Sequence, residues 1–374
     1  MRLAVNLGYW GAGNDRDNLE LAREADRIGY SSCWVAEAYG SDAPTVLAWV
    51  AAQTERIDIG SAVMQIPARS PAMTAMTAAT LDTLSAGRFR LGLGVSGPQV
   101  SEGWHGVRFD QPLARTREYV DVVRMALTRR RVEYRGRHVV LPLPDGPGKA
   151  LRLSVTPVRE RIPLYLAAVG PKNLELTGEI ADGWLAIFFS PEHGTNSLDH
   201  IRAGRRRART QAEGPGTEGQ ATAANPAPGA EATDELAGFD VLPSVPVAVD
   251  HDVEAAADRM RDYYALYVGG MGSRDANFYH RLAVRMGFGE AADRVQDLYL
   301  ARRHREAAAA VPTELVDATA LLGPAARIAR RVPAYAEAGV TTLGVVPFAT
   351  DIAARVSALH TVQDAVRVAG LTPP

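Results

Sequence analysis

The chain has 374 residues, 47% of them hydrophobic and 22% charged, with a formal net charge of −2. Such a composition can bury a large core, and it carries no excess of positive charge for nucleic acid or an anionic membrane. Cys33 is the only cysteine, so an internal disulfide is excluded and a thiolate zinc site is disfavoured. Inside the apolar run SSCWVA it reads as core. The opening MRLAVNLGYWG lacks the segments of a secretion signal, and no run of about twenty apolar residues is present, so a soluble cytoplasmic protein is expected.

Short β-branched runs alternate with longer segments of helical period, which points to βα units around a parallel sheet. Residues 2–7 give the first strand. Residues 15–28 give a helix with Asp15, Asp17 and Glu20 near its positive end and Gly29 as its stop. Strands follow at 31–36, 57–63 and 88–95, with helices between them reaching about Thr54 and Ser85, and another over 112–128. Gly87 stops the helix that reaches Ser85.

Residues 129–163 break the rhythm: VEYRGRHVVLPL sets an Arg-Gly turn between two β-like runs, which predicts a hairpin excursion. Strands resume at 163–168 and 184–189, with helices over 172–181 and to about Arg207. Residues 241–249 form the seventh strand despite their prolines, a long helical region fills 252–332, and 341–348 is the eighth. Eight strands with intervening helices predict an α/β (β/α)8 TIM barrel with insertions, a single domain over 1–374. Residues 209–236 hold almost no large apolar side chain and predict a disordered surface insertion.

GLGVSG at 92–97 fits the dinucleotide pattern G-x-G-x-x-G, yet Pro98 follows directly. The glycines are better read as letting backbone approach a ligand at the C-terminal mouth of strand four. In AAVGPKN (167–173), Gly170 gives backbone access, Pro171 suits a first helical position and Lys172 stands beside it. The segment is either an anion site at a helix N-terminus or a routine βα turn. Glu37 ends strand two, as a working carboxylate or a plain strand-end acid. Tyr9 and Trp10 end strand one, and Phe188 and Phe189 end strand six, lining a pocket or capping the core. HExxH, G-x-S-x-G and the Walker loop are absent, the eight histidines lack metal spacing, and no metal is expected.

Four stretches carry a resemblance: GYSSCWVAEAYGSDA, the long segment from IDIGSAVMQIPARS to GRFRLGLGVSGPQVSEGWHG, IPLYLAAVGPKNLELTGEIADGW, and GVTTLGVVPF. They resemble the deazaflavin-dependent branch of the bacterial luciferase-like monooxygenase superfamily, over most of 1–202 and 238–348. The resemblance implies coenzyme F420 as cofactor, a small-molecule substrate, and a homodimer or larger homo-oligomer. It implies a non-prolyl cis peptide at Ala62–Val63 behind the tricyclic ring. Val95, Ser96 and Gly97 match the loop beside the ring, and Ala168, Val169 and Gly170, with Lys172, match the phosphate loop. Tyr9, Trp10 and Phe188 are the expected substrate contacts.

Members of the branch that oxidise alcohols end strand two with Asp-His, the imidazole serving as base; here the matching pair is Glu37-Ala38. The resemblance therefore implies reduction of an activated C=C or C=N bond, which needs only a proton beside the hydride. Glu37, Tyr39 and Asp42 are the candidate proton sources, and Glu37 is also expected to touch the cofactor. Two alternatives stay open: a reduced-FMN-dependent monooxygenase on the same barrel, and a non-catalytic flavin or deazaflavin carrier.

Overall fold

The computed structural model describes residues 1–10, 15–212, 235–272, 274–349 and 351–372. Its barrel strands are β1 (Arg2–Asn6), β2 (Ser32–Val35), β3 (Asp58–Ser61), β4 (Phe89–Gly94), β5 (Leu164–Ala167), β6 (Gly183–Ile187), β7 (Asp240–Val249) and β8 (Thr342–Pro347). Each pairs in parallel with the next, and β8 returns to β1 with Val345 opposite Val5. This closed parallel sheet, wrapped by helices, is the TIM barrel expected from the alternation.

Local signals set the element ends. Ser70 caps the helix Pro71–Leu84 by accepting from the Met73 amide at 3.1 Å. Gly29, with φ of 86°, ends the helix Asp15–Arg27 in the left-handed region that favours glycine. Elsewhere glycine buys proximity: a Cβ at Gly92 would stand 1.8 Å from the Ser61 carbonyl oxygen, so β3 and β4 meet there only without a side chain.

The barrel interior is layered. Ala4, Trp34, Tyr165, Leu185 and Leu242 form an apolar cluster, with the Trp34 and Tyr165 rings edge to face at 5.1 Å. Toward the N-terminal ends of the strands a polar layer closes it. Arg90 donates to Asp58 at 2.7 Å, and Asp240 accepts from the Tyr165 and Thr342 hydroxyls at 2.9 and 2.7 Å and pairs with Arg2 at 2.9 Å. Two cations against two carboxylates leave no unpaired charge in the layer, which suits the stability-bearing face of a barrel.

Three expectations about the insertions need correction or detail. Residues 252–332 are not one helical region. Short helices there include Arg261–Ala265, the π-helix Leu266–Gly270, Phe278–Arg285 and Gly289–Leu300, and an additional strand, Leu321–Gly323, pairs in parallel with Val247–Val249 of β7. They build their own core around Met260, Tyr264, Val268, Val295 and Leu315, against Phe188 of the barrel. Tyr134–Arg135 and Val140–Leu141 pair antiparallel within the expected hairpin excursion. The helix Gly194–Ala212 runs past Arg207, so 209–212 are helical and not part of a disordered insertion, because the helical turn continues on exposed arginines. At its other end Leu236 is buried in the barrel core, so 235–236 do not belong to a disordered insertion either, and 213–234 lie outside the described residues.

Candidate active site

The loops after β2, β3 and β4 meet at the C-terminal mouth, and buried polar side chains satisfy the backbone groups that no sheet partner reaches. Glu37 is the hub. Its side chain is 5% exposed. Oε1 accepts from Arg69 Nη1 at 2.7 Å and from the Gln65 amide at 3.2 Å, while Oε2 accepts from Arg69 Nη2 at 2.9 Å and from the Ala43 amide at 3.0 Å. Four donors occupy the two oxygens, so Glu37, expected as a proton source, is found clamping its own loops, with both oxygens turned to Arg69 and the loop amides.

Asp42, the second candidate carboxylate, is half exposed. It caps the helix Ala43–Ala51 by accepting from the Thr45 amide at 3.0 Å, and it pairs with Arg69. Burial pushes its carboxyl up, but the Thr45 hydrogen bonds and the Arg69 charge outweigh that and hold it below its ordinary value. Tyr39, 58% exposed, stands on the rim, with no hydrogen-bond partner for its hydroxyl among the described residues.

Gln65, invisible as a site residue in the sequence, ties the three loops together. Its side-chain amide donates to the Ala38 carbonyl at 2.6 Å and accepts from Ser96 Oγ at 3.0 Å. Ser96 has φ of 61°, and Val95 and Gly97 flank it in the expected loop. The Ala62–Val63 peptide is cis, as the resemblance implied. Ala62, Val63 and Ala167 pack on the Trp34–Tyr165 cluster and give the mouth a floor of small apolar side chains.

Across the barrel, the Ala168 carbonyl accepts from Trp184 Nε1 at 2.9 Å, which pins the start of the next loop. Gly170 is the N-cap of the helix Pro171–Ile180, and the space where its Cβ would stand is open. Asn173 Oδ1, on the first turn, is buried without a partner among the described residues. Two cations stand beside this loop, the expected Lys172 and Arg285. Lys172 Nζ lies 3.1 Å from Glu175, a carboxylate that Arg207 also holds. Arg285, at the end of the helix Phe278–Arg285, donates instead to the Val169 carbonyl at 3.3 Å. Burial and the neighbouring Arg281 lower its pKa from the ordinary value, so an anion there would relieve it.

The last wall is aromatic. Phe188 has φ of 51°, and its buried ring stands 4.8 Å from that of Tyr264 and 5.4 Å from that of Tyr267. Tyr267 packs on Tyr263 at 4.7 Å and on Tyr279 at 4.9 Å, and Tyr263 meets Phe348 at 5.4 Å. Trp10 does not join this wall. It is buried edge to face against Trp49, 5.5 Å away on the helix Ala43–Ala51, so its expected substrate contact is corrected to a core role. Phe189 likewise packs inward, on Trp184 and Tyr335.

The family model for luciferase-like monooxygenases matches residues 6–342. The chain belongs to the luciferase-like monooxygenase family. Among luciferase-like relatives, a Mycobacterium tuberculosis protein with a provisional name as a coenzyme F420-dependent oxidoreductase is 41% identical over 92% of this chain and 94% of its own. The 5,10-methylenetetrahydromethanopterin reductase of Methanolobus tindarius is 30% identical over 50% of this chain and 55% of its own. Two solved structures share the fold. The coenzyme F420-dependent tetrahydromethanopterin reductase of Methanopyrus kandleri superposes with a TM-score of 0.78 at 22% identity, over 99% of both chains. An F420-dependent secondary alcohol dehydrogenase gives 0.75 at 18% identity, over 98% of this chain and 99% of the other.

In this luciferase-like barrel, the residues present suit a flat ring with an anionic tail. A level apolar floor, an open helix N-terminus at Gly170, the orphaned Asn173 oxygen and the Arg285 guanidinium offer one apolar and one anion-accepting half.

Proposed function

We propose that this protein is a coenzyme F420-dependent oxidoreductase that reduces an activated C=C or C=N bond of a small organic molecule. The kinship to an F420-dependent oxidoreductase along nearly the whole chain supports the cofactor. The observation that carries the direction of the chemistry is the end of β2: Ala38 offers a methyl group, and Glu37 is saturated by four donors. No imidazole stands there to take a proton from an alcohol. When bound, the reduced deazaflavin supplies a hydride.

The chain's own residues then bind and orient. Ala62, Val63 and Ala167 support the ring from behind, and Val95, Ser96 and Gly97 flank it. The Glu37–Arg69–Gln65 network keeps those loops at fixed spacing, which is how an enzyme turns binding energy into alignment. Ala168, Val169 and Gly170 present the helix N-terminus to the phosphate, with Arg285 adding charge. Phe188 and the tyrosines around it form the substrate side.

The helices Ala43–Ala51 and Pro71–Leu84 expose Trp49, Met73, Met76 and Leu84, and their single charged residue, Asp82, is fully buried against Arg159. A charge-free two-helix face of this kind fits a homodimer.

Titration of the purified protein with F420 and with FMN, followed by fluorescence, tests the assignment. F420 should bind at micromolar or tighter affinity, with FMN weaker by at least about tenfold, or 1.4 kcal/mol. Tighter FMN binding with oxygen uptake during turnover would make the protein a monooxygenase instead. Cofactor binding with no turnover of any activated alkene or imine would leave it a carrier.

A further inference from the structure

We infer that Arg108 and Arg115 form a carboxylate-binding subsite beside the Val95–Gly97 loop, separate from the clamp at Glu37 and from the phosphate loop at Gly170. The carboxylate belongs to the glutamate tail of the coenzyme or to the substrate. Only that choice of source rests on the oxidoreductase reading above.

A small cavity opens where Ile66 and Pro67 of the β3 loop, Val95 of the β4 loop and the start of the helix Pro112–Leu127 come together, and no residue of 168–170 lines it. Arg108, Asp110 and Arg115 bring its charge. Arg115 Nε is buried without a partner, and neither guanidinium makes a hydrogen bond or ion pair among the described residues. The neighbouring acids are occupied. Glu118, one turn past Arg115, accepts from the amides of Arg137, His138 and Val139 at 2.9, 2.7 and 2.9 Å. Glu102 accepts from the Phe109 amide at 3.1 Å. Asp110 alone faces the two arginines, so the cavity keeps a net positive charge and a buried donor that only a further acceptor satisfies.

The site is also preorganised. Ser101 Oγ donates to the Val107 carbonyl at 2.7 Å and the Val107 amide donates to the Ser101 carbonyl at 2.8 Å, while Glu102 fixes Phe109. Arg108 therefore stands on a loop held on both sides, and Arg115 on a helix. Gln111, the N-cap of that helix, gives its first turn no side-chain acceptor, so the helix dipole adds to the same positive field. A carboxylate matches the planar guanidinium fork, and Ile66, Pro67 and Val95 shield the pair from water. A cationic ligand would meet two like charges, and a neutral carbonyl would leave the charge uncompensated.

The subsite is tested first without coenzyme. In cofactor-free protein at fixed ionic strength, replacing chloride by glutarate should raise the melting temperature of the wild type and not that of Arg108→Gln or Arg115→Gln. An equal rise in all three, or none in the wild type, overturns the subsite. Arg108 is exposed, so Arg108→Gln keeps the fold and decides the question even where Arg115→Gln is unstable.

Two titrations then find the source. F420 is compared by fluorescence with its phospholactyl form lacking glutamate, and F420-loaded protein is titrated with cinnamate and with cinnamamide. A carboxylate from the tail should make F420 bind about tenfold more tightly than the truncated form in wild type, and Arg108→Gln should erase the difference. A carboxylate from the substrate should leave the two coenzyme forms alike and favour cinnamate over cinnamamide by about tenfold, again only with Arg108 present. A preference that survives Arg108→Gln, or none in either titration, overturns the subsite as part of this active site. Failure to bind F420 at all would sink the oxidoreductase reading instead, and the glutarate melts would still decide the subsite.

Discussion

Arg69 holds Glu37 with both arms of its guanidinium, Nη1 at 2.7 Å from Oε1 and Nη2 at 2.9 Å from Oε2. Their side chains are 15% and 5% exposed, so the pair is largely removed from water and its geometry is bidentate. Arg69 also reaches Asp42, and Glu37 reaches Ala43 and Gln65. One ion pair therefore sets the spacing of the β2 and β3 loops.

Glu37→Gln should cost about 2–4 kcal/mol of unfolding free energy in urea, slightly less than the usual loss on breaking a buried pair because Asp42 still faces Arg69. Combining it with Arg69→Met should recover part of that loss and part of any loss in F420 affinity, since no unpaired charge is left behind. A proton-donating Glu37 would behave differently: the double variant would be as slow as Glu37→Gln alone, with F420 affinity unchanged throughout.

At the opposite loop, Arg285 and Lys172 should separate cleanly. Arg285→Ala should weaken F420 by roughly 1–2 kcal/mol, as expected for one partly buried cation on an anion, and hardly affect the deazaflavin core that lacks the phosphate. Lys172→Ala should change neither ligand by more than about 0.5 kcal/mol, because its charge is already set against Glu175. Equal losses for both ligands in Arg285→Ala would mean that Arg285 acts on the ring or on folding.

Most of the barrel was legible because each strand is a short apolar run between glycine, proline or a capping residue. The strand Leu321–Gly323 was not: three residues among alanine-rich helical segments leave no period to read. At the site, glycines and small residues announced the loops that approach a ligand. Arg69 and Gln65 gave no signal, since a lone polar residue in IPARSP looks like any loop residue until Glu37 is seen 2.7 Å away. Tyr263 and Tyr267 stand four apart, a spacing that reads as the inner face of a helix, and only the packing against Phe188 shows that the face belongs to the mouth.

The face formed by Trp49, Met73, Met76 and Leu84 makes the assembly testable. Light scattering should give twice the mass of one chain. Met73→Glu with Met76→Glu should yield monomers, because charges buried against a second apolar face cost several kcal/mol. A monomeric wild type, or a doubly substituted protein that stays dimeric, would move the contact elsewhere.

Acid should weaken the fold partly through Glu175. Arg207 holds its carboxyl down to about 2, against partial burial, and Lys172 adds to the effect. The ordinary carboxyl value of 4.5 lies above that folded value. The stabilisation is therefore complete above pH 4.5 and is lost as the pH falls toward 2, because the unfolded chain binds the proton first. Glu192, brought to about 2 chiefly by Arg331, follows the same course. Glu175→Gln should thus lower the melting temperature at pH 7 by roughly 1–3 °C and flatten its decline below pH 4.5, with Glu192→Gln flattening it further. Arg207 is half exposed, so the effect of Glu175→Gln should shrink in high salt. An acid transition with the same slope in wild type and both variants would place the responsible carboxylates elsewhere.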